Sequence, residues 1–230
     1  MSDRPTPRSF GFMMPAEWEL HEATWLAWPH NPETWIGFAI EEVESATSKM
    51  VSALTGGEPV CLLVNDQAMQ DRAELCLSSQ RVDLDKVHFF QIPTNDAWIR
   101  DYGPNFLSRN NESGGSEVAA NIWRFDSWGQ KYEYDLDSKA ADQIIQKIQA
   151  RHFSPDIVLE GGAIEVNGRG TVITTRQCLL NPNRNGGLSQ NEIEGYLKEY
   201  LGATHVIWCE GESVGDDTDG HIDNFARFTD

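Results

Sequence analysis

Apolar residues fall along the chain in short continuous or alternating runs, separated by stripes of helical period, the pattern of an α/β protein. Thr24 to Trp28 reads as a strand ended by Pro29. Asn31-Pro32 predicts a helix start, and Trp35, Ala39, Val43, Ala46, Met50 and Leu54 form its apolar stripe up to Gly56-Gly57. Pro59 to Val64 is an apolar strand, and Asn65 or Asp66 caps a helix running to about Cys76. Val87 to Ile92 is the next strand. Asn110 to Ser116 is a surface loop, Val118 to Phe125 alternates as a strand, and Leu136, Ala140, Ile144 and Ile148 mark a third helix. Asp156 to Leu159 reads as a strand. Ala163–Val166 and Thr171–Thr175 form a hairpin around Asn167-Gly168. Asn181 to Gly187 is a polar loop, Ser189 to Glu192 is a capping box opening a helix that ends at Gly202, and His205 to Cys209 is a strand.

Composition narrows the function classes. With 230 residues, 40% hydrophobic residues and eight tryptophans, the chain can build a sizeable core. A net charge of −18 disfavours nucleic acid and anionic membrane surfaces and favours cationic small molecules or metals. No apolar run reaches the length of a membrane span, and the first ten residues carry no apolar signal core. The four cysteines (Cys61, Cys76, Cys178, Cys209) are scattered without a CxxC pair, so a reduced, cytoplasmic setting is expected. Cys61, inside an apolar run, reads as a buried thiol.

Two acid-rich stretches stand out. Gly215 to Asn224 holds four aspartates and His221, and the segment from Cys209 to Asn224 carries Glu210, Glu212, Asp216, Asp217, Asp219 and Asp223 without a Lys or Arg. Such a cluster suits a cation, with a solvated acidic turn as the plain alternative. His221-Ile222-Asp223 alternates like a strand, which would put a proton carrier and a carboxylate on one face. Asn95 to Pro104 places Asp96, Trp98, Arg100 and Asp101 between a strand end and a Gly-Pro turn. A carboxylate beside a tryptophan suits a guanidinium, which the acid pairs and the ring stacks. The Gly161-Gly162 pair after Glu160 would let backbone pass close to a ligand, or form a simple bulge.

Together these stretches resemble the agmatine deiminase family, relatives of the bacterial-type peptidylarginine deiminases. The matching residues are Met14 to Trp18, His21 to Pro29, Asn95 to Pro104, Leu159 to Gly162, Asn181 to Asn185 and Gly215 to Asn224. The resemblance implies an α/β-propeller (pentein) of ββαβ-type blades, with residues 1–11 as a tail and 12–230 as a catalytic domain incomplete at the C-terminus. It implies hydrolysis of agmatine to N-carbamoylputrescine and ammonia in putrescine biosynthesis, through a covalent amidino-cysteine intermediate, without metal or organic cofactor. Asp101 and Asp223 match the carboxylates that grip the guanidinium, and His221 matches the general acid/base. Asp96, Trp98, Glu160, Asp217 and Asp219 fall in motifs assigned to substrate binding. Homo-oligomerisation is left open.

The family's nucleophile is a cysteine in a Gly-rich motif near the C-terminus, whereas this sequence stops at Phe228-Thr229-Asp230. The expectation is therefore a deiminase lacking its last blades and inactive alone, with neither Cys178 nor Cys209 as nucleophile. Other guanidino deiminases, a metal-dependent hydrolase and a non-catalytic polyamine binder are the alternative readings. For calcium, Gly215 and Ala226 occupy the two loop positions that most need oxygen ligands.

Overall fold

The computed structural model describes residues 5–111, 114–211 and 214–229. Residues 1–4 of the expected tail, 112 and 113 of the surface loop, Glu212 of the acidic run, and Asp230 lie outside them. The chain divides into two compact units: Leu20–Ile99 with Asp135–Ala140, and Met1–Glu19 with Arg100–Tyr134 and Ala141–Asp230.

The first unit holds β1 (Thr24–Ala27), α1 (Ile40–Leu54), β2 (Val60–Val64), α2 (Gln67–Ser79) and β3 (Val87–Gln91). Its sheet is parallel in the order β1-β2-β3, with Trp25 opposite Cys61 and Leu62 opposite Phe89. Every residue of the central β2 is buried, as expected for a strand covered on both faces. Burial also pushes the Cys61 thiol up to about 11. Asp66 caps α2 by accepting from Met69 N at 2.8 Å.

The first helix departs from its expected course. It starts at Ile40, not at Pro32, because Gly37 turns the chain at φ +89° and Glu42 Oε2 accepts from Ala39 N at 3.0 Å. Its buried face carries Glu44, Thr47, Ser48 and Val51, while Met50 of the expected apolar stripe is 52% exposed. Glu44 tolerates burial because Trp28 Nε1 donates to it at 3.1 Å and Arg72 Nε of α2 at 2.6 Å.

In the second unit α3 (Ile99–Tyr102) leads into an antiparallel pair, β4 (Asn105–Asn110) and β5 (Ser116–Asn121). After α4 (Ser127–Gln130) and α5 (Asp137–Ile148), whose first four residues belong to the first unit, β6 (Arg151–Phe153) returns parallel to β5. The arrangement repeats: the hairpin β7 (Ile164–Val166) and β8 (Thr171–Thr175), then α6 (Arg176–Leu179), α7 (Pro182–Asn185) and α8 (Gln190–Leu201), then β9 (His205–Cys209) parallel to β8. Each repeat is a ββαβ module. Asp101 and Glu160 stand at one module position, each four residues ahead of the module's first strand.

The third helix, the hairpin, the Ser189 cap and the Gly202 stop are as expected. Strands β4 and β6 were not anticipated. The strand expected at Asp156 to Leu159 is reduced to one bridge between Arg124 and Val158, and the loop at Asn181 contains α7. Leu159, Ile164, Val172, Leu179, Ile193, Leu197 and Leu201 form the core that supports the third sheet. Among the described residues, no helix is long and apolar enough to cross a membrane.

Candidate active site

The site grows from the glycine pair after Glu160. Gly161 presses on the carbonyl of Arg100, which leaves no room for a side chain. A Cβ on Gly162 would lie 2.5 Å from His221 Nδ1, 2.7 Å from Asp101 Oδ1 and 2.8 Å from Asp223 Oδ2. Three groups from two separate segments thus converge on one bare stretch of backbone. Gly162 N donates to Asp101 Oδ1 at 2.9 Å, and Trp128 Nε1 donates to Asp101 Oδ2 at 3.1 Å. Trp128 delivers its indole from a left-handed backbone at φ +57°, ψ +38°, a strained conformation for a bulky residue.

His221 does not lie on a strand. Asp216 accepts from Thr218 N at 2.8 Å and Gly220 N at 2.6 Å, which folds the acidic run back on itself. Gly220 turns left-handed at φ +86°, and His221 becomes the cap of a 3-10 turn over Ile222–Asn224. Loop chemistry overrides the alternating pattern here. The turn still delivers both functional groups, because Ile222 is buried and anchors it between them.

His221 sits between two carboxylates. Its Nδ1 is 3.6 Å from Asp101 Oδ1 and its Nε2 is 3.9 Å from Glu160 Oε2. Burial alone would lower the His221 pKa, but Glu160, Asp101 and Asp223 outweigh it and raise the value. Burial pushes the Asp101 carboxyl up, His221 offsets part of that, and Glu160 adds to the rise. Glu160 is also pushed up by burial, yet His221 and Arg184 bring it below its ordinary value.

Arg184 had no role in the sequence reading. Its Nε lies 2.6 Å from Glu160 Oε1 and its Nη1 2.6 Å from Asp219 Oδ2, and Nη2 donates to Thr218 O at 3.0 Å. Asp219 also pairs with Lys131 at 2.9 Å, and Asp217 accepts from Tyr132 OH at 2.6 Å. A lone arginine in an Asn-rich loop gives little signal of a buried clamp, and neither does Trp128. Asp96 and Trp98 belong to the other unit, where Asp96 accepts from Thr34 and Ala97, and Trp98 lies 5.4 Å from Trp35, centroid to centroid.

Cys178 is fully buried, and its potential ligand atom, with those of Glu160 and His221, lies within a 4.8 Å cluster. Burial and the neighbouring Glu160 raise its thiol well above the ordinary value. It is therefore held as the neutral thiol, which is a poor nucleophile.

Solved structures share this fold. An agmatine deiminase of Enterococcus faecalis matches with a TM-score of 0.87 and 32% identity, covering 99% of this chain and 60% of that one. A substrate-bound C. jejuni agmatine deiminase with a cysteine-to-serine change matches with a TM-score of 0.83 and 32% identity, over 95% of this chain and 62% of that one. The modules and these structural matches thus define an α/β-propeller of the pentein class. The profile described as Porphyromonas-type peptidyl-arginine deiminase matches residues 13–230, and the chain belongs to this family. A Legionella pneumophila (strain Paris) relative is 40% identical over 96% of the chain, and a Pseudomonas aeruginosa (strain LESB58) agmatine deiminase is 38% identical over 97%. The chain spans 62% and 59% of the length of these two relatives.

Proposed function

We propose that residues 12–230 carry the guanidinium-binding and proton-transfer part of an agmatine deiminase. The observation that carries this reading is the convergence of Asp101, His221 and Asp223 on Gly162. A guanidinium is planar, cationic and resonance-stabilised, so it needs acids to fix its plane before anything can attack its carbon. Asp101 and Asp223 supply them. Trp128 and Gly162 orient Asp101 by donating one hydrogen bond to each of its oxygens. His221 protonates the departing ammonia and then takes a proton from the water that releases the carbamoyl product. Glu160 lies beside Nε2 and favours the cationic imidazole. Asp217 and Asp219 act as anchors of the loop through Tyr132, Lys131 and Arg184.

The attacking thiolate comes from outside these 230 residues in this reading. Cys178 is buried and protonated, which makes it unsuited to attack. Agmatine is preferred as substrate because relatives and structural neighbours carry that description, and because a chain of net charge −18 attracts a dication. We place the protein in the cytoplasm, which its unpaired cysteines support.

Calorimetry with agmatine, with putrescine as the control lacking a guanidinium, tests the assignment. Agmatine should bind and putrescine should bind at least tenfold more weakly. Equal affinity for the two would refute it. An arginine-containing peptide binding more tightly than agmatine would move the assignment to the peptidyl-arginine type named by the family.

A further inference from the structure

One side of the site is not used by the guanidinium acids. Glu160 Oε2 and His221 Nε2 are both buried and face each other at 3.9 Å, and neither has a hydrogen-bond partner. At 3.9 Å they attract as charges but stand too far apart to hydrogen-bond, so a group that bonds both atoms would satisfy them. Cys178 contributes a third potential ligand atom, and the three lie within 4.8 Å of one another. We propose that Glu160, Cys178 and His221 form a site for one borderline-soft divalent cation of the zinc class, and that this ion disables the proton carrier.

The donor set selects the metal. One carboxylate oxygen, one imidazole nitrogen and one sulfur suit zinc, whereas calcium and magnesium demand oxygen. At zinc bond lengths of about 2.0–2.3 Å, ligand atoms stand roughly 3.3–3.8 Å apart, so inward shifts of about 1 Å or less complete a three-ligand site. The surrounding groups already orient the ligands. Asp101 lies against the other imidazole nitrogen, and Arg184 holds the other oxygen of Glu160. This is the carboxylate–histidine support common at zinc sites. On binding, Cys178 forms an S–Zn bond and releases its thiol proton to solvent, and His221 ligates as the neutral imidazole. With the ion on Nε2 the imidazole is held in its neutral form, so His221 can no longer cycle through the cationic form that proton transfer requires.

The metal site itself does not depend on the agmatine assignment; only the disabling of the proton carrier rests on that reading. The test is calorimetry of zinc chloride against the chelator-stripped full chain, with cobalt(II) as a spectroscopic probe of thiolate ligation. One zinc ion should bind, and cobalt should give a thiolate charge-transfer band. Cys178→Ser should weaken zinc by about tenfold or more and remove the band, as should Cys178→Ala, with circular dichroism confirming the fold. Cys209→Ser should change neither. Zinc affinity unchanged in both Cys178 variants, or cobalt bound without a thiolate band, would overturn the site. Zinc binding with no agmatine binding would sink the functional reading and leave the metal site standing. Agmatine binding with no zinc binding would do the reverse.

Discussion

The guanidinium of Arg184 meets the carboxylate of Glu160 at 2.6 Å, and neither side chain is exposed to solvent. A second oxygen, from Asp219 on the histidine loop, completes the pairing at 2.6 Å. Arg184 therefore connects the start of one module to the loop that carries His221. Arg184→Met should leave Glu160 as an uncompensated buried charge and cost about 3–5 kcal/mol. Adding Glu160→Gln to Arg184→Met should recover part of that loss. Urea unfolding of the single and double variants checks it, and additive losses would show that the pair is not coupled.

Gly162→Ala should damage binding more than folding. The added Cβ would stand within 2.8 Å of all three converging groups. Overpacking of this kind costs about 1–3 kcal/mol of stability. Agmatine affinity should fall by about a hundredfold, because the acids must separate. Calorimetry alongside thermal melting separates the two effects.

Agmatine binding should weaken as pH falls, beginning at higher pH than an ordinary aspartate would dictate. Burial raises the Asp101 pKa, and a protonated Asp101 cannot pair with a guanidinium. Asp101→Asn should cost about 2–5 kcal/mol of binding at neutral pH, with Asp223→Asn similar. Affinity measured from pH 5 to 8 tests both statements. An Asp101→Asn profile that retains the full acid-side loss would assign that loss to another group.

Asp137 gives a stability prediction of known sign. Its carboxylate accepts from Asn95 N at 2.7 Å and Asp96 N at 3.3 Å, yet burial raises its pKa to about 6. The native protein then binds this proton more tightly than the unfolded chain does. The contribution is fully present below about pH 4 and is lost as pH rises through about 6, up to about 3 kcal/mol. Subtracting Asp137→Asn from the wild type in urea titrations isolates it. A difference that does not vary between pH 4 and 7 would refute the assignment.

Local signals carried much of the fold. Ser189 with Glu192, Gly202 and the Asn167-Gly168 turn each have a mechanism confined to a few residues, and their elements stand where expected. Helix α1 was misjudged because its buried face depends on Trp28 and Arg72, which lie outside the helix and make Glu44 an inward residue. The acids of the candidate site were legible as clusters, and Glu160 was legible beside its glycine pair. Arg184 and Trp128 were not, since each acquires its place only when distant segments meet. The apparent strand at His221 failed for the same reason: Asp216 and Gly220 fold the loop before alternation can matter.

Asp101 and Glu160 occupy the same position of two successive ββαβ modules. The site is thus partly written in the repeat: one slot ahead of a hairpin, used twice, delivers two acids to one histidine. Divergence between the copies then becomes division of labour. One copy accepts from Trp128 and Gly162 beside His221 Nδ1, while the other, tied to Arg184, is held beside Nε2. Each repeat that carries a carboxylate in that slot therefore brings one more negative charge to His221.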